Sequence, residues 1–234
     1  MIERLITEAS SYAKDIDGLV LLIGVLVGFW LVVTEAIFFS LIFKFRKRDG
    51  VRAQYIAGEQ KHEKRWISIP HMLVLVCDVF IVVGAVRVWV EIKQSLPPAE
   101  ATVRVVTQQW AFSFVQPGPD GKIDTADDIK TVDELHVQVG KTYHYILSSR
   151  DVLHDFSVPV FRLKQDAVPG REITGWFKPI KVGRFDIQCA ELCGIGHGLM
   201  PGKLFVESPA QHAAWVAAHA PITQLAATAG RADR

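Results

Sequence analysis

The run GLVLLIGVLVGFWLVVTEAIFFSLIF, Gly18 to Phe43, is 26 residues long and broken only by Glu35. A helix of that length crosses a hydrocarbon layer of about 30 Å. A second run, WISIPHMLVLVCDVFIVVGAVRVW from Trp66 to Trp89, is long enough to do the same despite His71, Asp78 and Arg87. Two such runs so close together read as a transmembrane hairpin rather than as core helices of a soluble fold. The loop between them, residues 44–65, carries Lys44, Arg46, Lys47, Arg48, Arg52, Lys61, Lys64 and Arg65 against Asp49, Glu59 and Glu63. That excess of basic residues assigns the loop to the cytoplasm. Ahead of the first run, Glu3, Glu8, Asp15 and Asp17 face only Arg4 and Lys14, so both ends of the chain are expected on the outer face. A cleavable signal peptide is not expected, because the apolar run is too long and no basic segment immediately precedes it.

The remainder is expected to be a domain outside the cytoplasm, where disulfides can form. With 26 basic and 25 acidic side chains the formal net charge is +1, so no global field points to nucleic acid or to an acidic substrate. After the linker Leu96–Pro98, the segments TVRVVTQQWAFSFV, TVDELHVQVG, KTYHYILSS, DFSVPVF, ITGWFKPIKVGRFDIQ and GKLFVES are β-branched and aromatic, with Gly or Pro between most of them. Short strands so spaced predict an antiparallel sandwich or barrel of about 100 residues. Ser208 and Pro209 then open a helix over AQHAAWVAAHA. Three segments result: 1–94 with the hairpin (spans 18–43 and 66–89), 95–208 as the β domain, and 209–234 as a helix and tail. The stretch PGPDGKIDTADDIK (117–130) resembles a calcium loop but lacks the glutamate an EF-hand needs at its twelfth position, and reads as a solvated hairpin tip.

Two of the three cysteines stand in CAELCGIGHGLMPG, residues 189–202. Cys189, Cys193, His197 and Met200 offer two thiolates, an imidazole and a thioether, a soft set suited to copper rather than to magnesium, calcium or manganese. A Cys189–Cys193 disulfide would leave His197 and Met200 unexplained, and zinc has little use for a thioether. A further imidazole is expected from another part of the fold. His154, in SSRDVLHDFSVP, is expected on a loop at one rim of the sandwich. His136 and His144 lie within alternating strand patterns and His212 and His219 in the terminal helix.

Together DVLH, VPGR and CAELCGIGHGLMPG resemble subunit II of the haem-copper cytochrome c oxidases, over roughly Glu63 to Val216. The resemblance implies a membrane-anchored chain: a two-helix hairpin, an all-β cupredoxin-like Greek-key sandwich and a C-terminal helix. It implies a dinuclear copper centre, CuA, in which Cys189 and Cys193 bridge two coppers and His154 and His197 bind one each. Met200 and the backbone carbonyl of Glu191 would be weak axial ligands. A blue-copper protein has one cysteine ligand, so the second cysteine separates the two kinds of site.

The same resemblance gives the Glu191 side chain a share in a magnesium or manganese ion at the boundary with the catalytic subunit. It makes Trp110 the point at which electrons arrive from cytochrome c, with Phe112 where the family commonly has a second tryptophan. Glu63, in EKRWISIP, matches the family's Glu-x-x-Trp-x-x-x-Pro and would stand at the mouth of a proton path. Asp151, three residues before His154, is a candidate for orienting that imidazole. The partners implied are subunit I with its haem, other oxidase subunits, cytochrome c or an equivalent donor, and lipid, with no nucleic acid; the location is a bacterial inner membrane with the copper domain on the periplasmic face. Two alternatives remain open at this point: the CuA subunit of a nitric oxide reductase, and a membrane-tethered copper carrier.

Overall fold

The computed structural model describes residues 7–52 and 55–221. They form two compact units. One is residues 15–91; the other joins the segment ending at Lys14 to everything from Ile92 onward. In the first unit, α1 (Ala13–Lys44) and α2 (Lys61–Trp89) are each long and apolar enough to span a membrane, and the most apolar window of each has no buried residue. Such exposure is expected of helices whose solvent is lipid. Leu19 meets Gly84, where a Cβ would stand 3.2 Å from its side chain, and Trp30 Nε1 donates to Cys77 Sγ at 3.4 Å. At the start of α2, Glu63 accepts a hydrogen bond from the Gln60 N–H at 3.2 Å, which satisfies one donor that the first turn would otherwise leave unpaired.

The second unit is a sandwich of two five-stranded sheets followed by a helix. The first sheet has the order β3 (Ile129–Val132), β2 (Ala111–Gln116), β1 (Ala101–Gln108), β5 (Tyr143–Ser149), β8 (Ile173–Phe177). The second runs β4 (Glu134–Gln138), β10 (Pro201–Glu207), β9 (Gly183–Gln188), β6 (His154–Val158), β7 (Leu163–Ala167). Each sheet mixes antiparallel pairs with one parallel pair, β1 with β5 and β10 with β4. β1, β2 and β5 alternate buried and half-buried residues, so their inward faces supply Val103, Val105, Phe112, Phe114, Tyr145 and Leu147. Phe156 packs edge-on against Phe112, Phe114 and Tyr145. Each such fully buried side chain stabilises the fold by about 1.5–3 kcal/mol. The helix α3 (Pro209–His219) begins where expected, with Ser208 Oγ accepting from the Gln211 N–H.

The segmentation differs from the sequence reading in several places. The run 102–115 is two strands, with Gln109 and Trp110 forming the turn between them. Leu163–Ala167 is a strand the sequence did not suggest. The residues before α1 pack on the sandwich: the Ala9 N–H donates to Val160 O, the Ile180 N–H to Ala9 O, and Tyr12 lies edge-on to Trp176 at 5.1 Å.

Candidate metal centre

Three connections meet at one rim of the sandwich: the β1–β2 turn, the segment 150–153 before β6, and the loop from Cys189 to Met200 between β9 and β10. His154 is the first residue of β6 and completely buried, not a loop residue as the sequence suggested, because the strand begins one position earlier and its first side chain points into the site. The Cys189–Met200 loop turns tightly. Gly194 has φ +122°, and a Cβ there would stand 2.9 Å from Gln109 Nε2. Only glycine meets both demands.

The sulfur atoms of Cys189 and Cys193 are 3.7 Å apart. A disulfide needs about 2.05 Å, so the two are free thiols. Each has its own imidazole: His154 Nδ1 is 3.9 Å from Cys189 Sγ, and His197 Nδ1 is 3.7 Å from Cys193 Sγ. The weaker donors divide the same way, with Glu191 O 3.3 Å from Cys189 Sγ and Met200 Sδ 4.0 Å from Cys193 Sγ. The donors therefore form two lobes joined by the sulfur pair. Among the described residues, His154, Cys189 and Cys193 are the group of His, Cys, Asp or Glu whose ligand atoms all lie within 4.8 Å of one another.

Burial, and then the neighbouring Cys189 thiol, push Cys193 up to about 11. Thiolates there need a positive charge beside them, as a bound metal supplies. His154 turns Nε2 toward Asp151 Oδ1 at 2.9 Å, leaving Nδ1 free for a metal. Burial works to raise Asp151, yet hydrogen bonds from the Gln109 N–H, His154 and the Val152 N–H hold it below the usual carboxylate range. The residues present thus fit soft-metal binding, with two thiols, two imidazole nitrogens, a thioether and a carbonyl gathered at one rim.

Trp110 lies flat against this loop. Its Nε1 donates to Cys193 O at 3.3 Å, and a Cβ on Gly196 would stand 2.4 Å from its Cδ2. The indole is 38% exposed, so it touches both the metal loop and solvent. The Glu191 side chain is half-buried and Glu63 lies in the other unit, at the start of α2. Two residues near the site escaped the sequence reading. Gln109 donates through Nε2 to Cys193 O at 2.8 Å. Asp155 is completely buried with neither carboxylate oxygen hydrogen-bonded; burial, and then Asp166 across the strand pair, push it up to about 7. No pattern in the sequence marks either one. In the acidic hairpin, Asp127 is buried and accepts from Thr125 Oγ1 and the Asp120 N–H, while Asp124 pairs with Arg104 at 3.0 Å. Those carboxylates hold the hairpin together.

Residues 112–208 match the profile of the family described as cytochrome C oxidase subunit II, periplasmic domain. The chain is 35% identical over 216 residues to an alternative cytochrome c oxidase subunit 2 of Bradyrhizobium diazoefficiens, covering 80% of this chain and 76% of that one. It is 29% identical over 231 residues to cytochrome c oxidase subunit 2 of Cereibacter sphaeroides, covering 86% and 74%. Among solved structures, the periplasmic domain of cytochrome oxidase subunit II from Bradyrhizobium japonicum aligns with a TM-score of 0.48 at 30% identity, over 53% of this chain and 96% of that one.

Proposed function

Because the chain belongs to the cytochrome c oxidase subunit II family, as its 35% identity across 76% of the Bradyrhizobium diazoefficiens relative establishes, we propose that it is the electron-accepting subunit of its oxidase. It takes single electrons from cytochrome c or an equivalent donor at a dinuclear copper centre and passes them to haem in subunit I. The observation that carries this reading is the donor set, in which two thiols 3.7 Å apart lie beside two imidazoles, His154 Nδ1 3.9 Å from Cys189 Sγ and His197 Nδ1 3.7 Å from Cys193 Sγ. When bound, copper held by this donor set would supply one-electron redox chemistry. The chain's part is to hold the donors still. Cys189, Cys193, His154 and His197 would hold the copper, with Met200 and the Glu191 carbonyl as the weaker donors. Asp151 keeps His154 in the tautomer that offers Nδ1. Trp110 is the surface through which the electron arrives.

The burial of Cys193 and Met200, each 2% exposed, suits a resident cofactor better than an exchangeable cargo. The Glu191 carboxylate is assigned to a magnesium or manganese ion shared with subunit I. Glu63 is assigned to the mouth of a proton path on the cytoplasmic side, in addition to its bond with the Gln60 N–H. α1 and α2 anchor the chain in a bacterial inner membrane. The bonding of Ala9 to Val160 and Ile180 supports a topology in which the start of α1 lies on the same outer face as the sandwich.

Cys193→Ser tests the reading in the assembled oxidase. Electron transfer from a reduced cytochrome c to haem is expected to stop, while haem reduced chemically still reacts with oxygen. Unchanged haem reduction by the cytochrome would contradict it.

A further inference from the structure

β1 ends at Gln108 and β2 begins at Ala111, so Gln109 and Trp110 are the whole of the connecting turn. Both side chains reach the same acceptor. Gln109 Nε2 donates to Cys193 O at 2.8 Å and Trp110 Nε1 donates to it at 3.3 Å. A carbonyl oxygen has two lone pairs, and this one uses both on the turn. The amide bond is short, whereas the indole bond lies beyond the usual range for N–H···O. Gln109 therefore fixes the plane of the Cys193 peptide, and the indole takes the direction left to it.

The backbone of Gln109 holds the opposite lobe. Its N–H donates to Asp151 Oδ2 at 2.7 Å, and Asp151 Oδ1 faces His154 Nε2 at 2.9 Å. One residue thus ties the imidazole of the Cys189 lobe to the carbonyl of the Cys193 lobe, while its neighbour Trp110 rests on Gly194 and Gly196. We infer that Gln109 is a positioning residue for electron uptake: its side-chain amide orients the Cys193 peptide and so seats the Trp110 indole against the copper loop. The inference rests on the electron-accepting reading above. Gln109 touches no metal and does its work through Trp110.

The test uses the assembled oxidase carrying Gln109→Leu, Gln109→Glu, Trp110→Phe, or Gln109→Leu with Trp110→Phe. Reduced mitochondrial-type cytochrome c is the probe, and copper content and the visible spectrum of each preparation are measured alongside stopped-flow uptake. Gln109→Leu is expected to keep two coppers and an unchanged spectrum while slowing uptake roughly fivefold, the population cost of one lost hydrogen bond. Gln109→Glu keeps the shape but loses the donor and is expected to behave alike. The double variant is expected to be no slower than Trp110→Phe alone, because the two residues act as one unit. Unchanged uptake in both Gln109 variants, multiplying losses in the double variant, or loss of copper in both Gln109 variants would overturn the inference. A wild-type oxidase without two coppers would instead remove the reading beneath it.

Discussion

Gly196→Ala isolates the contact between the indole and the metal loop. Gly196 has φ −91° and ψ 9°, a conformation open to alanine, so the substitution adds a methyl group without backbone strain. That methyl would stand 2.4 Å from Trp110 Cδ2, 2.7 Å from Cε3 and 2.8 Å from Cε2, whereas ordinary contact begins at 3.4 Å. The indole must therefore retreat by about 1 Å, the difference between 3.4 and 2.4 Å. Its bond to Cys193 O is already 3.3 Å and breaks with that shift. Overpacking of this kind costs about 1–3 kcal/mol, and a 1 Å misplacement of a reacting group slows a step by up to about 100-fold. Stopped-flow uptake by the purified oxidase should fall by about 10- to 100-fold with copper content unaltered. Gly198→Ala is the control, because a Cβ there meets nothing within 4 Å. Equal rates in the two alanine variants would refute the idea that the indole must lie against this loop.

Asp151→Asn removes the charge that faces His154 Nε2 at 2.9 Å and should weaken copper binding by about 10- to 100-fold, measured by competition with a copper chelator; affinity within a factor of two would reject the assignment. Asp155 titrates at about 7 in the fold against 3.8 unfolded. The folded chain therefore holds a proton that the unfolded chain has released, and the stability this contributes is lost as pH rises from 4 through 7. Copper-free Asp155→Asn should be more stable than the parent at pH 8 by about 2–4 kcal/mol and nearly equal to it at pH 4. Urea unfolding at the two pH values measures it, and a difference independent of pH would contradict the buried, unpaired state of this carboxylate.

The parts legible in the sequence were those encoded locally. The hairpin announces itself because lipid demands long apolar runs, and five of the six candidate metal donors fall within twelve residues, from Cys189 to Met200. What escaped depends on partners distant in the chain. LKQDA has no β-branched residue and becomes β7 only because β6 pairs with it along its whole length. VVTQQWAFSFV has no Gly or Pro to mark a turn, so the break at Gln109 and Trp110 is invisible until Asp151 and Cys193 bind it from 42 and 84 residues away. Residues 9–11 are small and carry no strand signal; their place comes from backbone bonds to Val160, Lys178 and Ile180, while Tyr12 packs edge-on to Trp176. Asp127 read as a solvated turn carboxylate, yet it is buried and holds its hairpin together.

The central claim is that Cys189, Cys193, His154 and His197 hold two coppers as a single redox unit. Copper analysis with electron paramagnetic resonance of the oxidised full-length chain, purified in detergent and loaded with copper, addresses it most directly. Two coppers per chain and a hyperfine pattern with more lines than one copper nucleus gives are expected. One copper with an ordinary single-nucleus pattern would contradict the account.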